Sequence, residues 1–199
     1  MLKVKICGIT NLSDALACVH AGADALGFVF YKKSPRYIEP HIAAQIVQTL
    51  PPFVQKVGLF VDASSEEINL TCKLAHTDIA QIHFEPTQDF YDKLEVAHLK
   101  VIRATCKRDI LRYEDQYRLV DAFVPSFGGE GKRVDLDFFA GIDCSKIILA
   151  GGLNSNNLAS ITSFGFYGVD VSSGVEASKG KKDHIKVREF ITKAKYANT

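Results

Sequence analysis

The chain lacks most of the features that would tie it to a membrane, a nucleic acid or a metal. No apolar run reaches the ~18 residues of a membrane span. Its 24 basic and 23 acidic residues leave a net charge of +1, which excludes a general attraction to nucleic acid or anionic lipid. Five cysteines (Cys7, Cys18, Cys72, Cys106 and Cys144) form an odd, scattered set with no Cys-x-x-Cys pair. That spacing suits neither a zinc site nor a disulfide framework, and it points to a reducing compartment. The first residues already alternate like a strand and lack the apolar region and cleavage site of a signal peptide, so a cytoplasmic protein is expected. No linker, repeat or low-complexity segment divides the 199 residues, and a single domain over residues 1–199 is expected.

What is present is a regular alternation. Lys3-Val4-Lys5-Ile6-Cys7 reads as a short strand, broken by Gly8 and followed by a helix capped at Asn11 or Ser13, with Asp14 in its first turn. Residues 25–30 form a near-continuous apolar run, the pattern of a parallel strand covered on both faces. Further strands are predicted over 56–61, 79–83, 100–104, 119–124, 146–150 and 168–171. Helices between them open at Pro40, at Ser64 or Ser65 ahead of Glu66 and Glu67, and near Pro86. A polar helix over 107–116, a short one near 135–140, one capped by Asn154 and a C-terminal one complete the set. Eight strand–helix units of buried-strand type predict a (β/α)8 TIM barrel, near the lower length limit of that fold. No Gly-x-Gly-x-x-Gly follows the first strand, which weighs against the open dinucleotide-binding alternative.

In such a barrel the residues just past each strand gather at one mouth. They are Cys7, Arg36, Asp62, His83, Arg103, Asp121, Gly151-Gly152, Asp170 and Ser172-Ser173-Gly174. The turns after strands seven and eight are where barrels often build a phosphate site, because glycine lets backbone N–H groups approach an anion and serine adds donors. Cys7 is either a small buried strand residue or a base and nucleophile when ionised. Asp121 is either a strand-end cap or a carboxylic acid kept protonated by its surroundings. Arg36, in a loop shaped by Pro35, is either a solvated arginine or a bidentate carboxylate binder. His83 is open between a base for Cys7 and a ligand-orienting group. The other histidines are expected on helices or loops, and Lys179, Lys181 and Lys182 are expected to form a solvated face.

These motifs together resemble the phosphoribosylanthranilate isomerases of tryptophan biosynthesis, over residues 3–190. The motifs are Val4-Lys5-Ile6-Cys7-Gly8-Ile9-Thr10, Gly27-Phe28-Val29-Phe30 with Lys33-Ser34-Pro35-Arg36, Val57-Gly58-Leu59-Phe60-Val61, Gln81-Ile82-His83, Gly128-Gly129-Glu130-Gly131-Lys132, Leu149-Ala150-Gly151-Gly152-Leu153 and 168–176. The resemblance implies a TIM barrel of ribulose-phosphate-binding type that uses no cofactor and no metal. It implies an Amadori rearrangement of a phosphosugar, with Asp121 as general acid and Cys7 as general base. It also implies that Arg36 holds the anthranilate carboxylate, that Gly151, Gly152, Ser172, Ser173 and Gly174 hold the phosphate, that Asp170 faces the ribose, and that His83 lies at the substrate. Partners are expected to be the small phosphosugar alone, with the protein a monomer or homodimer that binds no nucleic acid and no membrane. Phe84 stands where the family commonly has Gly, and Glu130 where it has a hydroxyl residue. The related isomerase of histidine biosynthesis uses an aspartate at the end of strand one, and Cys7 argues against it. A catalytically silent phosphosugar binder would have lost its acid or its base, and both are present.

Overall fold

The computed structural model describes residues 1–122 and 133–196. The expected end of strand six and the glycine-rich segment 127–132 lie outside the described residues.

Among the described residues, eight parallel strands close into a barrel. They are β1 (Lys3–Cys7), β2 (Ala25–Val29), β3 (Gln55–Phe60), β4 (Ile79–Ile82), β5 (Ala97–Ala104), β6 (Arg118–Ala122), β7 (Ile147–Leu149) and β8 (Gly168–Val171). Closure is made by β8 on β1, from Lys3 against Gly168 to Ile6 against Val171. The TIM-barrel expectation is met. No helix among the described residues is long and apolar enough to cross a membrane.

The first half follows its local signals. Helix α1 (Leu12–His20) starts where the Asn11 side chain accepts the Asp14 N–H, and α2 (Pro40–Val47) starts on proline. Helix α3 (Ser65–Ala75) carries a complete capping box between Ser64 and Glu67, two otherwise orphaned donors satisfied reciprocally. A short α4 (Gln88–Asp92) follows.

The second half departs from expectation. Helix α5 is only Lys107–Ile110, not 107–116. Tyr113 turns left-handed at φ 56°, and Arg118 reaches under the segment to take its carbonyls. Its Nε and Nη2 donate to Ile110 O at 3.2 and 2.9 Å, and Nη1 donates to Gln116 O at 3.3 Å. The units after β6 and β7 are 3-10 turns, Leu136–Phe139 and Leu158–Phe164. The second begins after Asn157 rather than at Asn154, whose side chain is bonded to the Asn156 N–H. Serine, threonine and a β-branched isoleucine crowd that segment, and they favour local side-chain bonds over a full α-helix. A small hairpin, β9 (Glu176–Ser178) with β10 (Lys181–Lys182), precedes the closing helix α6 (His184–Tyr196).

Two separate packings follow from strand alternation. Val4 and Ile6 point outward into the large core beneath the helices. Leu99, Val101, Leu119 and Ala150, with Ile79 and Ile148, form a cluster of their own. Arg103, Asp121 and Gln81 lie two residues further along on the same strand faces as Val101, Leu119 and Ile79, so polar groups sit above this apolar floor.

Arg118 opens β6 at the end opposite the mouth and is 1% exposed. Arg118→Ala strands carbonyls that a charged donor now satisfies, and should lower stability by about 3 kcal/mol in urea melts followed by circular dichroism. Turnover at room temperature should stay at the wild-type rate. A stability loss below about 1 kcal/mol would show that these bonds do not hold the segment.

Candidate active site

The mouth is assembled around β1 and β8. Gly8 follows Cys7 with φ +80°, a conformation that costs a side chain dearly, and a Cβ there would stand 2.6 Å from Arg36 Cδ and 3.1 Å from Ser172 Oγ. Three loops therefore converge on one bare backbone position. Gly174 marks a second convergence, because a Cβ would lie 1.8 Å from the Leu153 carbonyl oxygen. The loops after β7 and β8 thus touch backbone to backbone, which only glycine permits. Gly151 and Gly152 also take positive φ, 88° and 60°. Ser172 Oγ is buried and has no hydrogen-bond partner among the described residues. A buried hydroxyl without a partner calls for an explanation, and this one stands at the junction of these loops.

Charged groups hold this frame. Lys182 Nζ, buried, donates to Cys7 O at 2.6 Å, Ser172 O at 3.2 Å and Glu176 Oε1 at 3.0 Å. Glu176 in turn accepts Arg36 Nε and Nη2, both at 2.8 Å. Burial raises the Glu176 carboxyl, but Arg36 and Lys182 outweigh it and hold the group below the ordinary carboxylate range. The Lys182 N–H donates to Asp14 Oδ2 at 2.8 Å, and His184 Nε2 lies 2.8 Å from Asp14 Oδ1.

Inside the barrel, Lys5 Nζ donates to Asp170 Oδ1 at 2.9 Å. Asp121 faces the same space, its Oδ1 accepting the Ala122 N–H at 2.8 Å. Burial is the largest influence on Asp121 and pushes its carboxyl up to about 6, with Asp170 adding to the rise and Arg103 opposing it. His83 Nε2 lies 3.8 Å from Asp121 Oδ2. Burial, then Arg103 and Lys5, lower His83 to about 4, so the imidazole is neutral and the contact is not an ion pair at physiological pH. Burial raises the Cys7 thiol, and Lys5 offsets this only in part.

Cys7, Asp121, His83, Asp170, the Gly151-Gly152 turn and Ser172-Ser173-Gly174 thus lie at or just inside one end of the barrel. Asp62 is exposed beyond β3. Arg36 is buried rather than solvated, and it does grip a carboxylate bidentately, that of Glu176. The expectation of a solvated Lys182 is overturned: Lys179 and Lys181 are exposed, while Lys182 is 3% exposed and central. The hairpin folds it inward, because Gly180 at φ +78° turns the chain back toward Glu176. His98 lies in β5, not in a helix or loop, and stacks on Tyr91. Sequence reasoning also passed over Lys5, Asp14 and Glu176. For Lys5 the signal was there: two residues before Cys7 on a strand means the same face.

Comparison with known proteins agrees with this fold. Residues 4–193 match the family described as N-(5'phosphoribosyl)anthranilate (PRA) isomerase. The chain belongs to this family. A relative from a Nitratiruptor species, named N-(5'-phosphoribosyl)anthranilate isomerase, is 60% identical over 195 residues, 98% of this chain and 100% of the relative. The crystal structure of phosphoribosyl anthranilate isomerase from Thermotoga maritima superposes with a TM-score of 0.90 at 41% identity, covering 98% of this chain and 99% of that one. A second structure of the enzyme, in complex with reduced 1-(o-carboxyphenylamino)-1-deoxyribulose 5-phosphate, aligns with a TM-score of 0.83 at 40% identity, covering 98% and 99% of the two chains. As a phosphoribosylanthranilate isomerase family member, the chain is an aldose–ketose isomerase of tryptophan biosynthesis.

The raised Asp121 carboxyl is directly testable. In isotope-edited infrared difference spectra, the wild type should show one protonated carboxyl band that disappears as pH rises through about 6 and is missing from Asp121→Asn. A carboxyl at position 121 that ionises in the ordinary range, near 4, would contradict the burial argument.

Proposed function

We propose that this protein converts N-(5-phosphoribosyl)anthranilate to 1-(2-carboxyphenylamino)-1-deoxyribulose 5-phosphate, with Asp121 as general acid and Cys7 as general base. The observation that carries the proposal is the separation of the two groups' environments. Burial raises the Asp121 carboxyl to about 6, so it holds its proton closer to neutral pH than an ordinary carboxylate does, while at Cys7 a cation stands by to receive a thiolate.

The steps follow from where protons must go. The Asp121 O–H donates to the ribose ring oxygen. The C1–O bond breaks with its electrons going to that oxygen, and the anthranilate nitrogen lone pair forms C1=N. The Cys7 thiolate then takes the C2 proton. The C2–H electron pair becomes the C1=C2 bond and the imine pair returns to nitrogen, giving an enolamine. Loss of the proton on the C2 hydroxyl and protonation at C1 yield the ketone. Neutral His83 beside Asp121 is suited to orient the ribose or the acid without adding charge.

The substrate's two anionic ends have candidate partners. The paired turns at Gly151-Gly152 and Ser173-Gly174, with the unsatisfied Ser172 hydroxyl, suit the phosphate. Arg36 presents Nε and Nη2 to Glu176, which leaves the Nη1 edge of its guanidinium for the anthranilate carboxylate. Glu176 then acts as the clamp that aims the fork. Asp170 is suited to face the ribose hydroxyls with the oxygen Lys5 does not use.

The test is turnover of freshly generated phosphoribosylanthranilate, followed by loss of its anthranilate-type fluorescence. Cys7→Ala and Asp121→Ala should each lower kcat at least ~100-fold, the lower end for acid–base groups. Arg36→Ala should act mainly on KM. Wild-type turnover in both of the first two variants would reject the mechanism, and an inactive wild type would reject the substrate.

A further inference from the structure

The barrel interior holds an ion pair to which the mechanism above gives no task for its cationic half. Lys5 precedes Cys7 by two residues on β1, so both side chains leave the strand on the same face. The Lys5–Asp170 pair is buried, with side chains 6% and 10% exposed. Opposite it on β2 stands Gly27, where a Cβ would meet Cys7 Sγ at 2.8 Å and Lys5 Nζ at 3.1 Å. The bare wall at position 27 is what lets the sulfur and the ammonium share one space. A buried pair of this kind pays a desolvation cost that well-packed apolar side chains of similar volume would avoid, so packing alone does not account for it.

We propose that Lys5 is a positioning residue for the reaction: its ammonium, anchored on Asp170, holds the negative charge of the Cys7 sulfur inside the barrel. This rests on Cys7 being the base. A thiolate in an apolar cavity needs a cation within a few ångströms, because solvent is not there to screen it. The charged groups facing Cys7 are few. Lys5 comes from its own strand, Asp170 from β8 and Lys182 from β10, with Asp121, Arg103 and His83 further round the wall. Lys182 is fixed on two main-chain carbonyls and Glu176, so it addresses the Cys7 backbone. Lys5 Nζ and the sulfur both border the space at Gly27, and the ammonium's charge is the largest influence drawing the thiol toward ionisation. Asp170 works in the opposite sense on the thiol, yet it keeps Lys5 charged and aimed. When the sulfur takes the C2 proton it becomes neutral, and Lys5 keeps its own proton with Asp170 as its remaining counter-charge. The lysine thus needs no proton transfer of its own.

The experiment titrates the Cys7 thiol in the intact, substrate-free protein by its ultraviolet thiolate absorbance. The Cys7→Ser protein is subtracted to remove the other four cysteines. Lys5→Met should raise the Cys7 titration by about one pH unit or more, a tenfold fall in its dissociation constant. Lys5→Met leaves Asp170 buried without a partner and threatens the fold. The comparison is therefore repeated as Lys5→Met/Asp170→Asn against Asp170→Asn, where no lone carboxylate is buried. The same upward shift is expected there. Cys7 titrations that agree within each of the two comparisons would overturn the proposal and leave Lys5 a strut of the barrel. Failure of the base assignment looks different: Cys7→Ala would keep wild-type turnover, whatever the thiol titration shows.

Discussion

The ammonium of Lys182 is the point from which the mouth of this barrel is built. One buried cation holds the carbonyl that ends β1, the carbonyl that starts the β8 loop, and the carboxylate that grips Arg36. Breaking a buried pair by removing one partner typically costs about 3–5 kcal/mol, because the survivor is left uncompensated. Here the survivors include Glu176 and, through it, the orientation of Arg36. The loops after β1, β2 and β8 are thereby positioned as a unit, and Gly8 and Gly174 are the bare positions that allow the close approach. Asp14 and His184 extend the same network to the surface through the Lys182 main chain.

Below this frame the barrel divides into an apolar floor and a charged upper layer. The floor, around Leu99, Val101, Leu119 and Ala150, excludes water from beneath the site. The layer above it carries Lys5, Asp170, Asp121 and Gln81 in the same low-dielectric space. Burial then acts unequally. It raises the Asp121 carboxyl to about 6, neutralises His83 and opposes ionisation of Cys7. The first two effects suit an acid and a neutral orienting group. The third opposes the base role proposed for Cys7, and the Lys5 ammonium works against that burial.

The strand order, the barrel and most of the residues at its mouth were legible in the sequence because they rest on local signals. Apolar runs at regular spacing marked the strands, and Asn11, Pro40 and the Ser64–Glu67 box marked helix starts. The segments that were misread are those where local propensity is weak and a distant group decides. Helix α5 stops at Ile110 because Tyr113 turns left-handed and Arg118, eight residues beyond Ile110, takes its carbonyl. The turn at Leu158–Phe164 is too rich in serine, threonine and isoleucine to wind fully. Lys182 read as solvated because a lysine run normally is; Gly180 marks a turn, but nothing local says that the turn tucks the last lysine under Cys7. Lys5 read as the polar side of an alternating strand, whereas in the closed barrel β1 is buried on both faces beyond Lys3.

The proposed mechanism divides the labour, with Asp121 opening the ring and Cys7 taking the C2 proton. Borohydride quenching of substrate mixed with each variant tests it most directly, because it reduces the open-chain imine to a stable amine detectable by mass. Cys7→Ala should accumulate this imine above the enzyme-free level, since its acid is intact, while Asp121→Ala should not. Accumulation in Asp121→Ala and none in Cys7→Ala would contradict the assignment and exchange the two roles.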